Sequence, residues 1–196
     1  WLVLGGGGLL AVFPLAFAIM VPALYFPLLV MLLGLLFRGV AFEFREVQHG
    51  RRAWWDEGFC WGSLLATLAQ GIVLGNIVVG FPVEGRHFAG TSWDWPKPFA
   101  LVTALGLVCA YTLQGATWLV MKTEGELQQR ARRIAMRSLW AVLLFIGVIS
   151  VWTPLADARI AARWFSWPNW LWFSPVPLLT AALAAVLWRS LRSGRH

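Results

Sequence analysis

The chain has 196 residues, of which 59% are hydrophobic and 13% charged, and its mean hydropathy of +0.68 excludes an ordinary soluble domain of this length. Sixteen lysines and arginines against nine acidic residues give a net charge of +7. The basic residues stand in short loops between long apolar stretches, which favours a membrane topology signal over a nucleic-acid patch. We therefore expect membrane lipid and no nucleic acid among the partners.

Six apolar runs are long enough to cross a bilayer, for which a helix needs about 20 residues. In chain order they cover residues 1–20, 23–42, 58–80, 98–121, 134–156 and 171–188. The first two are separated by Val21 and Pro22, where the proline removes a backbone donor, so we expect a tight hairpin there. The sequence thus predicts an all-α polytopic membrane protein with six transmembrane helices. We expect a single transmembrane helical domain over residues 1–196, and the abrupt apolar beginning indicates a fragment of a longer chain.

Basic residues divide unevenly between the two sides of the predicted spans. Twelve lie in or beside the loops 43–57 and 122–133 and in the C-terminal tail, whereas four lie on the other side. The positive-inside rule therefore places loops 43–57 and 122–133 and the tail in the cytoplasm. Most of the fourteen tryptophans fall near span ends, where they indicate an aromatic belt. A substrate or gas path lined by some of them is the alternative.

Few residues have the chemistry of a metal or catalytic site. His49, His87 and His196 lie in loops or the tail, whereas a membrane haem held by imidazole needs a histidine inside a span. Cys60 and Cys109 lie in or beside apolar runs without a CxxC partner, which favours small core residues. The spans show neither metal-ligand spacing nor a Ser-His-Asp pattern. We therefore expect no catalytic residue and no metal ligand here.

Three charged residues stand at the end of the second predicted span: Arg38, Glu43 and Arg45. In one interpretation the arginines reach for lipid headgroups and Glu43 neutralises them. In the other, Glu43 belongs to a buried polar cluster that conducts protons or fixes a subunit contact. On an ideal helix Glu43 lies about 140° from Arg38 and about 200° from Arg45, at roughly 100° per residue. We therefore expect all three to find partners on neighbouring segments.

Other polar residues at membrane depth are amides: Gln70, Asn76 and Gln114. Such side chains favour interhelical hydrogen bonds over ligand binding.

Small residues recur along the third predicted span, at Gly58, Gly62, Gly71 and Gly75. Helix association in lipid relies on close packing, which small residues permit. We expect this face to be buried against a second subunit.

The run FRGVAFEFR, residues 37–45, resembles the signature of subunit II of cytochrome bd-type quinol oxidases. Three further stretches match the same family in the same order, at residues 1–18, 62–82 and 98–128. The resemblance is strong from Trp1 to about Arg133 and weakens after Ile134.

This resemblance implies a bacterial inner-membrane subunit of a respiratory terminal oxidase. Its complex oxidises quinol, reduces oxygen to water and takes protons from the cytoplasm. The resemblance assigns haem b and haem d to the partner, subunit I, and none to ligands of this chain. It leaves small accessory subunits open. The chain is expected to support subunit I and to contribute to proton or oxygen access.

A secondary transporter fragment is the alternative from another functional class. Transporters show helices broken near the midplane and internal repeats. Here Pro22, Pro154, Pro175 and Pro177 fall near span ends, and no repeat is evident. A membrane scaffold subunit without a catalytic partner is the third hypothesis.

Overall fold

A computed structural model describes residues 2–47, 52–156, 158–167, 169 and 173–193. The helices in chain order are α1 (Leu2–Val12), α2 (Pro14–Ala23), α3 (Tyr25–Val47), α4 (Arg52–Val79), α5 (Pro98–Lys122), α6 (Gly125–Ala156), α7 (Ala158–Trp164) and α8 (Pro175–Ser193). A short antiparallel hairpin of β1 (Val83–Glu84) and β2 (His87–Phe88) lies between α4 and α5. The chain is an all-α membrane protein.

Four helices of the described residues are long and apolar enough to cross a bilayer: Tyr25–Val47, Arg52–Val79, Pro98–Lys122 and Gly125–Leu155. Between 11% and 33% of the residues in their most apolar windows are buried within the chain. Their remaining surface is largely apolar. An apolar area of this size is unfavourable in water and is suited to contact with lipid or another subunit.

The first predicted span, residues 1–20, is two helices rather than one. Phe13 separates them with φ −129° and ψ 63°, outside the helical region. Pro14 begins α2, because a proline has no N–H and is accommodated in the first turn of a helix. The result is a shorter apolar helix at Pro14–Ala23.

The tight hairpin expected at Val21 and Pro22 is not observed in the described residues. Pro22 lies within the last turn of α2, and Leu24 alone separates α2 from α3. The N–H of Leu24 donates to Met20 and the N–H of Leu28 donates to Leu24, both at 2.9 Å. Helical hydrogen bonding therefore continues through this junction, because a proline removes only its own donor. Instead of folding back on α3, α2 contacts β2.

Contacts divide the chain into two compact units, Trp1–Ala104 and Leu105–His196. In the first unit, α3 and α4 form an antiparallel pair in which two glycines lie in close backbone contact. A Cβ on Gly34 would lie 2.7 Å from the carbonyl oxygen of Gly62. The small side chain of Ala41 packs near Gly58 further along the same contact. Two backbones can approach this closely only where side chains are absent or minimal.

The glycines further along α4 pack inside the chain, against the start of α5. A Cβ on Gly71 would overlap the Cα of Ala104, and one on Gly75 would lie 2.5 Å from the Cα of Ala100. The expectation that this face meets a second subunit is therefore wrong for Gly62, Gly71 and Gly75. Their lack of a side chain serves contacts between helices of one chain.

The second unit has a small core where α5, α6 and α8 meet. Ala116, Ala135 and Leu191 are buried there, one from each helix. The guanidinium Nε of Arg132 on α6 donates a hydrogen bond to the carbonyl oxygen of Leu191 in the last turn of α8. Carbonyls at a helix end lack partners within the helix, so this bond helps to fix α8 against α6.

Candidate functional site

The arginines at the end of α3 both find their partners on α4. The guanidinium carbon of Arg38 lies 5.4 Å from the centre of the Phe59 ring. The Nε of Arg45 donates to Oδ1 of Asp56 at 2.5 Å. The contacts follow from the antiparallel packing of the pair, because the last turns of α3 lie opposite the first turns of α4.

The ion pair between Arg45 and Asp56 is at the surface. Both side chains are 54% exposed, so its contribution to stability is about 0–1 kcal/mol. Beside it, the rings of Phe44 and Trp55 stack at 5.2 Å between centroids. Asp56 was not predicted from the sequence. Its position shortly after Arg45, at the basic end of the second predicted span, could have suggested it. Only the packing of the two helices shows which arginine it faces.

Glu43 lies on a different face of α3 from the two arginines. At roughly 100° per residue, Arg45 is about 40° and Arg38 about 60° from Ala41, which is buried against α4. Glu43 is about 200° from Ala41 and is exposed. No hydrogen bond or ion pair joins Glu43 to another residue that the structure describes. Its carboxylate is therefore directed away from the α3–α4 contact.

At the opposite end of α4, Asn76 is buried and fixes the loop that leads to α5. Its Nδ2 donates to the carbonyl of Ile72 at 2.9 Å and to that of Trp95 at 2.8 Å. The Nζ of Lys97 donates to the carbonyl of Gly80 at 2.9 Å. Gly80 has φ +83°, a left-handed conformation that favours glycine where a helix ends. These bonds join the C-terminal end of the loop to the end of α4.

A turn within this loop contains the acidic residue Asp94. Its carboxylate accepts hydrogen bonds from the backbone N–H of Thr91 at 2.7 Å and from the hydroxyl of Thr91 at 2.8 Å. These two bonds lower the pKa of Asp94, and the charge of Lys97 adds a smaller effect in the same direction. The turn is therefore held by a carboxylate that stays ionised in mildly acidic solution.

Gln70 and Gln114, the two glutamines predicted at membrane depth, are both exposed on their helices. Gln70 lies on α4, on a different face from the buried Asn76. Gln114 borders an open groove of about 540 Å³ whose lining residues, including Tyr111 and Trp118, all belong to α5. A groove formed by one helix is a surface feature that lipid or another protein chain can cover.

The side chains that could ligate a haem or a metal lie apart in the part of the chain that the structure describes. His87 lies in β2, outside the four spanning helices. Among the residues that the structure describes, no group of three or more His, Cys, Asp or Glu could hold a metal ion. Cys60 is exposed and Cys109 half-buried, and both are free. The positions of His49 and His196 lie outside the described residues.

We expect Asn76→Ala to destabilise the protein by about 1–2 kcal/mol, because the variant loses two hydrogen bonds and leaves the Trp95 carbonyl without this donor. Gln114→Ala is the matched control, since it removes an exposed amide. Thermal unfolding of the two purified variants measures the difference. Equal midpoints for both would show that Asn76 does not hold the loop.

Comparison with known proteins shows that one family model matches the whole chain. The family model described as cytochrome bd terminal oxidase subunit II matches residues 1–196. Cytochrome bd-I ubiquinol oxidase subunit 2 of Escherichia coli strain K12 is 31% identical over 159 residues, covering 78% of this chain and 42% of that protein. Cytochrome bd ubiquinol oxidase subunit 2 of Bacillus subtilis strain 168 is 30% identical over 155 residues, covering 76% and 45% respectively.

A third relative is the probable cytochrome oxidase subunit 2 of Haemophilus influenzae, 28% identical over 167 residues. The match covers 82% of this chain and 44% of that protein. The chain thus spans less than half the length of these relatives.

Proposed function

Because the chain belongs to the cytochrome bd terminal oxidase subunit II family, we propose that it is part of a respiratory quinol oxidase. In this complex two quinols are oxidised to quinones for each oxygen molecule, and the four electrons and four protons convert the oxygen to two water molecules. The observation that carries the proposal is the family match over all 196 residues. No feature of the described residues favours the transporter or the scaffold.

We assign haem b and haem d to subunit I, the partner of this chain. When bound there, they carry the electrons from quinol to oxygen. The described spanning helices of this chain contain no histidine, which supports the assignment. In this proposal the role of the chain is to support subunit I and to contribute to proton or oxygen access. Its largely apolar outer surface is suited to contact with such a partner.

For proton access we propose Glu43 as the residue of this chain that handles protons. Oxygen reduction consumes protons, so a route from the cytoplasm must reach the reaction. Glu43 is an exposed acid near the end of a spanning helix and faces away from α4. Arg38 and Arg45 have a different task in this proposal, which is to hold α3 against α4.

We further propose that the chain lies in the bacterial inner membrane as one transmembrane domain. The loops 43–57 and 122–133 and the C-terminal tail would face the cytoplasm, as the twelve-to-four distribution of basic residues supports. Small accessory subunits and lipid complete the set of proposed partners.

Purification of the full-length protein through an affinity tag on this chain tests the function. We expect the reduced-minus-oxidised spectrum of the product to show haem b and haem d, and we expect quinol to support oxygen uptake. The same purification from cells that lack subunit I is the control and should yield no haem. A folded product without haem from cells that contain subunit I would contradict the proposal and favour the transporter or scaffold.

A further inference from the structure

The second unit carries a strongly basic end, where α5 and α8 end and α6 begins. We call it the basic end, and its seven residues are Lys122, Arg130, Arg132, Arg133, Arg137, Arg189 and Arg192. The contact between Arg132 and Leu191 and the core of Ala116, Ala135 and Leu191 show that the three helices meet here. The seven charges therefore lie at one end of one unit.

Three of these arginines form a stripe along α6. Arg130, Arg133 and Arg137 lie within about 60° of each other at roughly 100° per residue, and all three are exposed. Ala131 and Ala135 are buried on the other side of the helix. The stripe extends about 10 Å along the axis at 1.5 Å per residue, so it directs guanidinium groups outward over nearly two turns.

Acidic residues neutralise little of this charge. Glu126 lies 3.9 Å from Arg130, and the two side chains are 91% and 70% exposed, so that pair is weak. Glu124 is the other acidic residue between α5 and the arginine stripe. Arg133 and Arg137 have no ion pair with any residue that the structure describes. The basic end therefore keeps a large net positive charge.

Two tryptophans that contact the basic end indicate its depth in the membrane. The Nζ of Lys122 lies 5.4 Å from the Trp118 ring, and the guanidinium of Arg192 lies 5.2 Å from the Trp188 ring. Indole rings prefer the headgroup region of a bilayer. A cation over an indole at the end of an apolar helix is thus placed at the depth of lipid phosphates.

We propose that the basic end binds the headgroups of anionic phospholipids in the leaflet that faces it. Guanidinium groups bind phosphate oxygens through paired hydrogen bonds, and clustered basic residues next to a membrane span attract anionic lipid. A nucleic acid would meet these charges only from the aqueous side. The stripe, in contrast, runs along the first turns of a helix that continues into the bilayer.

The test uses the complex that contains the full-length chain, reconstituted in nanodiscs of equal phosphatidylglycerol and phosphatidylcholine and then extracted in mild detergent. Native mass spectrometry counts the retained lipids. We expect wild-type protein to retain a several-fold excess of phosphatidylglycerol, and Arg133→Gln/Arg137→Gln to reduce this excess about fivefold or more. The control Arg86→Gln/Arg163→Gln removes the same charge elsewhere and should keep the excess.

A second measurement separates lipid from free phosphate. Dioctanoyl phosphatidylglycerol should raise the thermal unfolding midpoint of the wild type more than that of the Arg133→Gln/Arg137→Gln variant. Inorganic phosphate at matched ionic strength should raise neither. Equal stabilisation by inorganic phosphate would overturn the assignment to lipid. Equal lipid retention in the wild type and this variant would also overturn it, and is the result expected if another protein subunit covers the basic end.

Discussion

Replacing Gly71 with alanine should destabilise the protein by about 1–3 kcal/mol, the usual cost of overpacking a tight contact. The added Cβ would overlap the Cα of Ala104, a backbone atom that cannot rotate away as a flexible side chain can. The helices α4 and α5 must then separate along the contact. Thermal unfolding of the purified protein, with size-exclusion chromatography to confirm assembly, measures the effect. Gly75→Ala should act in the same direction, because its Cβ would meet Ala100.

The control for Gly71 is Gly115→Ala on α5, where an added Cβ has no neighbour within 4 Å. This variant should be as stable as the wild type or more so, since alanine is favoured over glycine in a helix by up to about 1 kcal/mol. Wild-type stability of both Gly71→Ala and Gly75→Ala would contradict the contact between α4 and α5. The same control identifies any general effect of added alanine.

Replacing Glu43 with glutamine should slow quinol-driven oxygen consumption and proton uptake about tenfold or more, if Glu43 transfers protons as proposed. Glutamine keeps the shape and polarity of the side chain but cannot take up or release a proton at neutral pH. Assembly and the haem spectrum should therefore be retained. Proton uptake by reconstituted vesicles, measured together with oxygen consumption, reports the expected loss.

Glu46→Gln is the matched control, because Glu46 is an exposed acid on the same helix three residues further along. Its turnover should remain near that of the wild type. Glu43→Leu adds a second test, since leucine removes both the titratable proton and the polarity of the side chain. Normal turnover in Glu43→Gln, combined with failed assembly in Glu43→Leu, would reject the proton route and make Glu43 a residue of a subunit contact.

Much of the fold could be predicted because membrane crossing depends on local apolar length. The predicted spans 58–80 and 98–121 correspond to α4 (Arg52–Val79) and α5 (Pro98–Lys122). Within lipid, a backbone must satisfy its own hydrogen bonds, so an apolar run of this length becomes a helix regardless of its neighbours. The same argument could not find the break at Phe13 or the small β-hairpin, which lie within or between such runs.

The sequence by itself determined the class of protein, the presence of charged residues at a span end and the resemblance to one family. The tertiary structure alone decided how those charges are arranged. Helix periodicity separates Glu43 from the arginines, but only the glycine contact between α3 and α4 shows that Arg38 faces Phe59 and Arg45 faces Asp56. The rotation of one helix against another depends on packing between distant residues, and a local pattern of apolar and charged residues does not specify it.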